Sequence, residues 1–131
     1  MLEEVVEDNF RISAQQLDPG IVLVTIAGDL DMQTVPRVTA SLAHTNALSA
    51  RHLILDLTGV TFLSSSGLGL LIAVQSGHDG TPRRGLHLVG VTGNRPVERP
   101  LALIGMLDQF NTTTDLDALL ARLHTTGPPT D

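Results

Sequence analysis

Apolar and polar positions first alternate near the N-terminus, where Phe10, Ile12 and Ala14 are interleaved with Arg11, Ser13 and Gln15. A period of two predicts a strand with one face in water. Asp18-Pro19-Gly20 then supplies turn chemistry, because Pro presets its own φ and Gly accepts a positive one. Residues 21–27 (Ile-Val-Leu-Val-Thr-Ile-Ala) are almost continuously apolar and rich in β-branching, which predicts a strand covered on both faces. These two strands are expected to pair as a hairpin. Ahead of them, residues 1–9 are acidic and without periodicity, and read as a loose leader.

The period changes after Gly28-Asp29-Leu30-Asp31. Thr34 offers an N-cap and Pro36 suits a first helical turn, where a missing N–H costs little. Val35, Val38, Leu42 and Ala43 share one face of the predicted helix, which fades near Leu48. Residues 53–57 read as a buried strand with one acid, Asp56, and residues 58–63 as a connector. Ser64-Ser65-Ser66 stands immediately before a second helix over 67–75, with Gly77 and Gly80 to stop it. Arg83 and Arg84 lead into a strand over 86–89. Asn94 is expected to cap a helix reaching 104, with Pro96 in its first turn and Pro100 as a point of kinking. A short last strand is expected around Phe110. An amphipathic helix over 115–124 follows, carried by Leu116, Leu119, Leu120 and Leu123.

Strand and helix alternate after the opening hairpin, which predicts an α/β domain with a mixed sheet and crossover helices. The expected organisation is a flexible acidic leader (1–9), one domain (10–124) and a disordered tail (125–131) that holds two prolines and no core residue. With 131 residues, one domain of this kind can bury roughly two-thirds of its unfolded surface.

Composition narrows the chemistry. The chain has no Cys, Trp or Tyr and three Phe, so its core must be aliphatic. Lack of Cys excludes disulfides, thiolate metal sites and cysteine nucleophiles. All eight basic residues are Arg, so a Walker A loop or a Schiff-base lysine is excluded too. A net charge of −6 with few aromatics disfavours direct contact with nucleic acid. The longest apolar stretch, 63–74, is interrupted by serine and glycine and is too short to span a bilayer, so no membrane insertion is expected. Glu3, Glu4, Glu7 and Asp8 stand where a secretory signal needs positive charge. These features predict a soluble, cytoplasmic protein.

Candidate chemistry concentrates in residues 53–71, which read as strand, connector, three serines, glycine and helix. A hydroxyl at a helix N-terminus meets unpaired N–H groups and the positive end of the helix dipole, a setting that accommodates an oxyanion. Any of Ser64, Ser65 and Ser66 also serves as a plain N-cap, and a cap and a functional serine can sit side by side. Gly67 and Gly69 would let a partner's backbone approach the first turn closely. A dinucleotide fingerprint fails because Ile72 stands where a third glycine is needed. A nucleophile elbow fails because Leu63 replaces the glycine two residues before Ser65. No pair among His44, His52, His78, His87 and His124 has metal-ligand spacing, so neither a metal nor another cofactor is expected.

Taken together, Gly28-Asp29-Leu30-Asp31 and the run from Leu53-Ile54-Leu55-Asp56-Leu57 through Ser64-Ser65-Ser66-Gly67-Leu68-Gly69-Leu70-Leu71 resemble the STAS domain of anti-sigma factor antagonists. The similarity extends from about residue 10 to 123 and includes the helix before Gly105-Met106. It implies a STAS-like fold, a mixed sheet with helices packed mainly on one side. It also implies a switch that performs no catalysis. The unphosphorylated antagonist binds an anti-sigma factor with serine kinase activity and so releases a sigma factor. Phosphorylation ends the binding, and a phosphatase restores it. The resemblance puts the acceptor at Ser66, with Ser65 and Ser64 as fallbacks, and a partner surface at Asp31, Met32, Ser65, Gly67 and Leu68. The family usually carries aspartate two residues before the acceptor, whereas this chain carries Ser64.

That departure keeps a second reading open, a STAS scaffold that binds a regulator or a transporter subunit without phosphorylation. A third, a small serine hydrolase using Ser65 with Asp115 and His124, has only the strand–serine–helix order in its favour.

Overall fold

In the computed structural model, which describes residues 2–7, 9–76 and 85–125, the predicted hairpin forms from β2 (Phe10–Asp18) and β3 (Ile21–Leu30), antiparallel across the 18–20 turn. The acidic leader is a strand, not a loose segment. β1 (Glu3–Glu7) pairs antiparallel with β2, Val5 opposite Ile12. Its half-buried Val5 packs against the core, and Glu7 forms an ion pair with Arg37. One inward valine among glutamates is too short a period to read in sequence.

From β3 onward every step moves the same way across the sheet. β4 (His52–Leu63), β5 (Leu86–Val89) and β6 (Asn111–Thr113) add in parallel, giving the order β1-β2-β3-β4-β5-β6. Right-handed crossovers that all step in one direction must lie on one face. Accordingly α1 (Val35–His44), α2 (Ser65–Ser76) and α3 (Arg95–Leu103) bury Val38 and Leu42, Leu71 and Val74, and Val97 and Leu101 in one aliphatic core. The sheet supplies Ile12, Val24, Ile26, Leu53 and Leu55 to that core. α4 (Leu116–Thr125) returns over the other face, where Leu119 and Leu123 meet Ile21, Ile54 and Val89.

Three local expectations are corrected. Residues 58–63 are no connector, since β4 continues to Leu63 beside Leu30. It does so through two register shifts, and Gly59 marks one of them, where a Cβ would lie 2.9 Å from that of Ala27. Thr34 and Asn94 precede α1 and α3, but neither side chain caps its helix. Asn94 Nδ2 instead donates to the carbonyls of Leu57 and Val60, at 2.9 and 3.4 Å, tying α3 to the extended end of β4. Pro100 lies inside α3. The predicted roles of Gly77, Gly80, Arg83 and Arg84, and the tail beyond residue 125, lie outside the described residues.

α2 begins earlier than expected and enters the core through a glycine. Gly67, Leu71 and Val74 form its buried face. A Cβ on Gly67 would come within 2.6 Å of both the Leu30 carbonyl oxygen and Leu63 Cδ1. At exposed Gly69 a Cβ would meet nothing within 4 Å. Gly67→Ala is therefore expected to lower unfolding free energy by about 1–3 kcal/mol through overpacking. Gly69→Ala should raise it by about 0.5–1 kcal/mol through helix propensity. Urea unfolding of the two variants checks both signs.

At the other end of the sheet, His52 and His87 meet, His52 Nδ1 lying 3.2 Å from His87 Nε2. Burial pushes the His87 pKa down to about 4, with smaller contributions from His52 and Arg122. Burial and then Arg51 also lower that of His52. Folding thus favours the neutral rings, and between pH 6.5 and 4 the unfolded chain binds more protons. Stability is expected to fall as pH drops through this window, by about 2 kcal/mol from His87 after allowance for screening. His87→Leu should flatten that slope in thermal unfolding measured across the same range.

Candidate functional site

The carboxyl ends of β3 and β4 bring the sequence-predicted residues to one edge of the domain. Gly28 opens the segment with φ +100°, and a Cβ there would overlap the Asn9 carbonyl oxygen. Leu30 then anchors in the core with no exposed surface. The loop that follows is held by its own acids. Asp31 Oδ1 accepts from the backbone N–H groups of Gln33 and Thr34 at 2.9 and 3.1 Å. The Asp31 N–H in turn donates to Thr34 Oγ1 at 2.9 Å, and Thr34 Oγ1 donates to the Asp29 carbonyl at 2.7 Å. Thr61 Oγ1 donates to Asp29 Oδ1 at 2.8 Å, fastening β3 to the end of β4. Both acids thus have local structural work, the turn-forming alternative to a purely functional role.

The serines divide into two kinds. Ser64 is tied down: its N–H and hydroxyl both donate to the Leu30 carbonyl, at 3.0 and 3.3 Å. The same hydroxyl accepts from the Gly67 N–H at 3.3 Å, which makes Ser64 the N-cap of α2. Ser65 and Ser66 lie in the first turn, Ser65 exposed and Ser66 partly so. Neither hydroxyl bonds another described residue. With no described base bonded to them, they stand as unactivated hydroxyls, available to a reagent brought from outside.

Around this edge, Met32 is 75% exposed. Leu68 is half-buried against the core, and Gly67, expected on the partner surface, is buried and turned inward. Gly69 takes its place as the open glycine. The spacing 67, 71, 74 already holds that distinction, since it repeats the helical period of the inward face. What sequence could not reveal is the pair of hydrogen bonds from Ser64 to the Leu30 carbonyl, because the partners are 34 residues apart. Arg37 braces the loop from α1, donating to the Gln33 carbonyl at 3.0 Å while paired with Glu7 on β1.

The hydrolase constellation does not assemble. Asp115 Oδ1 accepts from the Ala118 N–H at the start of α4, while His124, in its last turn, pairs with Asp18 at 3.2 Å. Nine residues of helix rise separate them by about 13 Å. Among the described residues, no group of three or more His, Asp or Glu could hold a metal ion. No described helix is long and apolar enough to cross a membrane.

Comparison with known proteins agrees with this geometry. Residues 13–119 match the family model of the STAS domain. No characterised sequence matches the chain closely enough to count as a relative. An anti-sigma factor antagonist from Mycobacterium paratuberculosis has a similar structure, with 28% identity, a TM-score of 0.72, and coverage of 88% of this chain and 94% of that one. The anti-sigma factor antagonist SpoIIAA in its unphosphorylated form aligns at 18% identity and TM-score 0.66, covering 87% and 96% of the two chains. RsbS of Moorella thermoacetica, with a glutamate substituted for a serine, aligns at 21% and 0.66, covering 88% and 96%. The last two likenesses speak to the fold alone. The match over most of its length and the fold on which its serine-capped helix stands make this chain a member of the STAS domain family.

Proposed function

We propose that this protein is an anti-sigma factor antagonist. Its unphosphorylated form binds an anti-sigma factor with serine kinase activity, frees a sigma factor, and is switched off by phosphorylation of Ser66. A phosphatase resets it. The carrying observation is the unbonded hydroxyl of Ser66 in the first turn of α2, beside the Asp31 loop, in a chain of this family. Ser64 is disfavoured as acceptor because its hydroxyl caps the helix and bonds the Leu30 carbonyl. Ser65 remains the nearer fallback. The protein itself catalyses nothing; it acts in the cytoplasm as a stress-responsive regulator of transcription.

Charge is sufficient for the switch. Phosphoserine adds about −1.5 to −2 charges. In the first turn of α2 the phosphate meets the positive end of the helix dipole, a favourable placement worth about 0.3–1 kcal/mol, so the helix persists. Against a partner carboxylate ~5 Å away, at an effective dielectric of ~20, each unit charge costs about 3 kcal/mol. Half of that after screening weakens binding about tenfold.

A second reading, a scaffold that binds a regulator or transporter subunit without phosphorylation, is favoured by Ser64 at the place of the family's usual aspartate. Co-purification from cells separates the two, because a kinase partner supports the first and a non-kinase partner with unmodified Ser66 supports the second.

Incubation with the cognate kinase and ATP is expected to add one phosphate, read by intact mass, and Ser66→Ala should abolish it. Unchanged labelling of that variant moves the acceptor to Ser65. Ser66→Asp should bind the kinase about tenfold more weakly by calorimetry. Ser64→Ala should still be phosphorylated while losing about 1 kcal/mol of stability, the ordinary worth of a serine cap.

A further inference from the structure

The sheet face opposite α1, α2 and α3 is covered along only part of its length. Near the start of β4, α4 lies over Ile21, Ile54 and Val89. Toward the strand ends that carry the serine site, a row in register crosses the same face with none of the described helices packed over it: Val6 beside Arg11, Arg11 beside Ala27, Ala27 beside Gly59. One step further along, Asp29 pairs with Phe62. Strand alternation, together with the register shift between Gly28 and Asp29 that skips Thr61, sets all of these opposite the core-facing Phe10, Ile26, Val60 and Leu63.

This half-face departs from an ordinary solvated sheet. Val6 is 59% exposed and Phe62 is 52% exposed, whereas the chain's other phenylalanines, Phe10 and Phe110, are buried. Between Val6 and Phe62 the small residues Ala27 and Gly59 leave a shallow trough, and a cavity of about 260 Å³ opens beside Val6, Arg11 and Ala27. Arg11 has no ion-pair partner among the described residues. Asp29 is exposed, and among the described residues its carboxylate is bonded to the Thr61 hydroxyl alone.

We propose that this half-face is a self-association surface, on which a second copy of the chain docks about a two-fold axis. An isologous contact requires a patch that complements itself. A cation and an anion set diagonally on adjacent strands of one face, Arg11 at the end of the Ala27–Gly59 row and Asp29 one step beyond it, each with an apolar side chain next to it, meet that requirement. A two-fold axis through the trough sets Arg11 of each copy against Asp29 of the other. It also covers Phe62 and Val6 on both copies at once. Such pairing chiefly supplies register and specificity, while the apolar side chains supply the driving force. The surface does not involve Ser66, so the proposal stands independently of the phosphorylation reading.

Sedimentation equilibrium of the full chain over a wide concentration range tests it, with circular dichroism to verify folding of each variant. The wild type is expected to pass from monomer to dimer with rising concentration. Phe62→Ser and Arg11→Asp should each raise the dimer dissociation constant about tenfold or more, and the double variant Arg11→Asp/Asp29→Arg should recover most of the loss. Ser66→Asp should leave the constant unchanged. A chain that stays monomeric throughout overturns the proposal. So does a dimer indifferent to both single variants, and so does a double variant that recovers nothing. Capture of an unrelated partner by Phe62 in a chain that never self-associates counts against it as well.

Discussion

One backbone carbonyl, that of Leu30, joins the two halves of the site. It ends β3, accepts both the N–H and the hydroxyl of Ser64, and leaves room for α2 only because residue 67 has no side chain. The loop bearing Asp31 and Met32 and the turn bearing Ser65 and Ser66 are therefore fixed by the same few atoms. A carboxylate at position 64 could cap the helix but could not donate a hydrogen bond to that carbonyl. An aspartate there would keep the backbone N–H bond to Leu30, and serine adds a second one through its hydroxyl, which gives the departure from the family pattern a structural account.

The core around this junction is aliphatic apart from Phe10 and Phe110, in keeping with the scarcity of aromatics. Its layout follows from handedness: successive right-handed crossovers place α1, α2 and α3 together and collect the strand carboxyl ends at one edge. Among the described residues the opposite face receives only α4, and the half that α4 does not cover carries Phe62. The protein thus has two unlike surfaces, one of hydroxyls at a helix start and one of mixed charge and apolar side chains on a sheet.

Much of this was legible from local pattern. The hairpin, the strand over 86–89 and the amphipathic face of α4 follow from period and turn chemistry. Misreadings fell where a distant partner decides the outcome. Residues 58–63 carry glycine and threonine and look like a connector, yet β3 offers a parallel edge that holds them extended. Glu3 to Glu7 lack periodicity, yet an available β2 edge suffices to order them. Thr34 and Asn94 have the composition of caps, but strand carbonyls claim their side chains, that of Asp29 at the end of β3 and that of Leu57 on β4. The serine triplet was located by sequence, while its division into one tied and two unbonded hydroxyls depends on Leu30 folding back beside it.

The twelve residues of α2, from Ser65 to Ser76, include no charged side chain. A phosphate on its first turn would be the only formal charge the helix carries, against a silent background. Information written there is binary in an electrical sense: a partner resting on this helix meets either a neutral rod or a single point of strong negative potential. Substituting any residue of the helix with lysine or glutamate would add a constant offset to that signal, and a contrast now set by one modification would be diluted without the modified residue being touched.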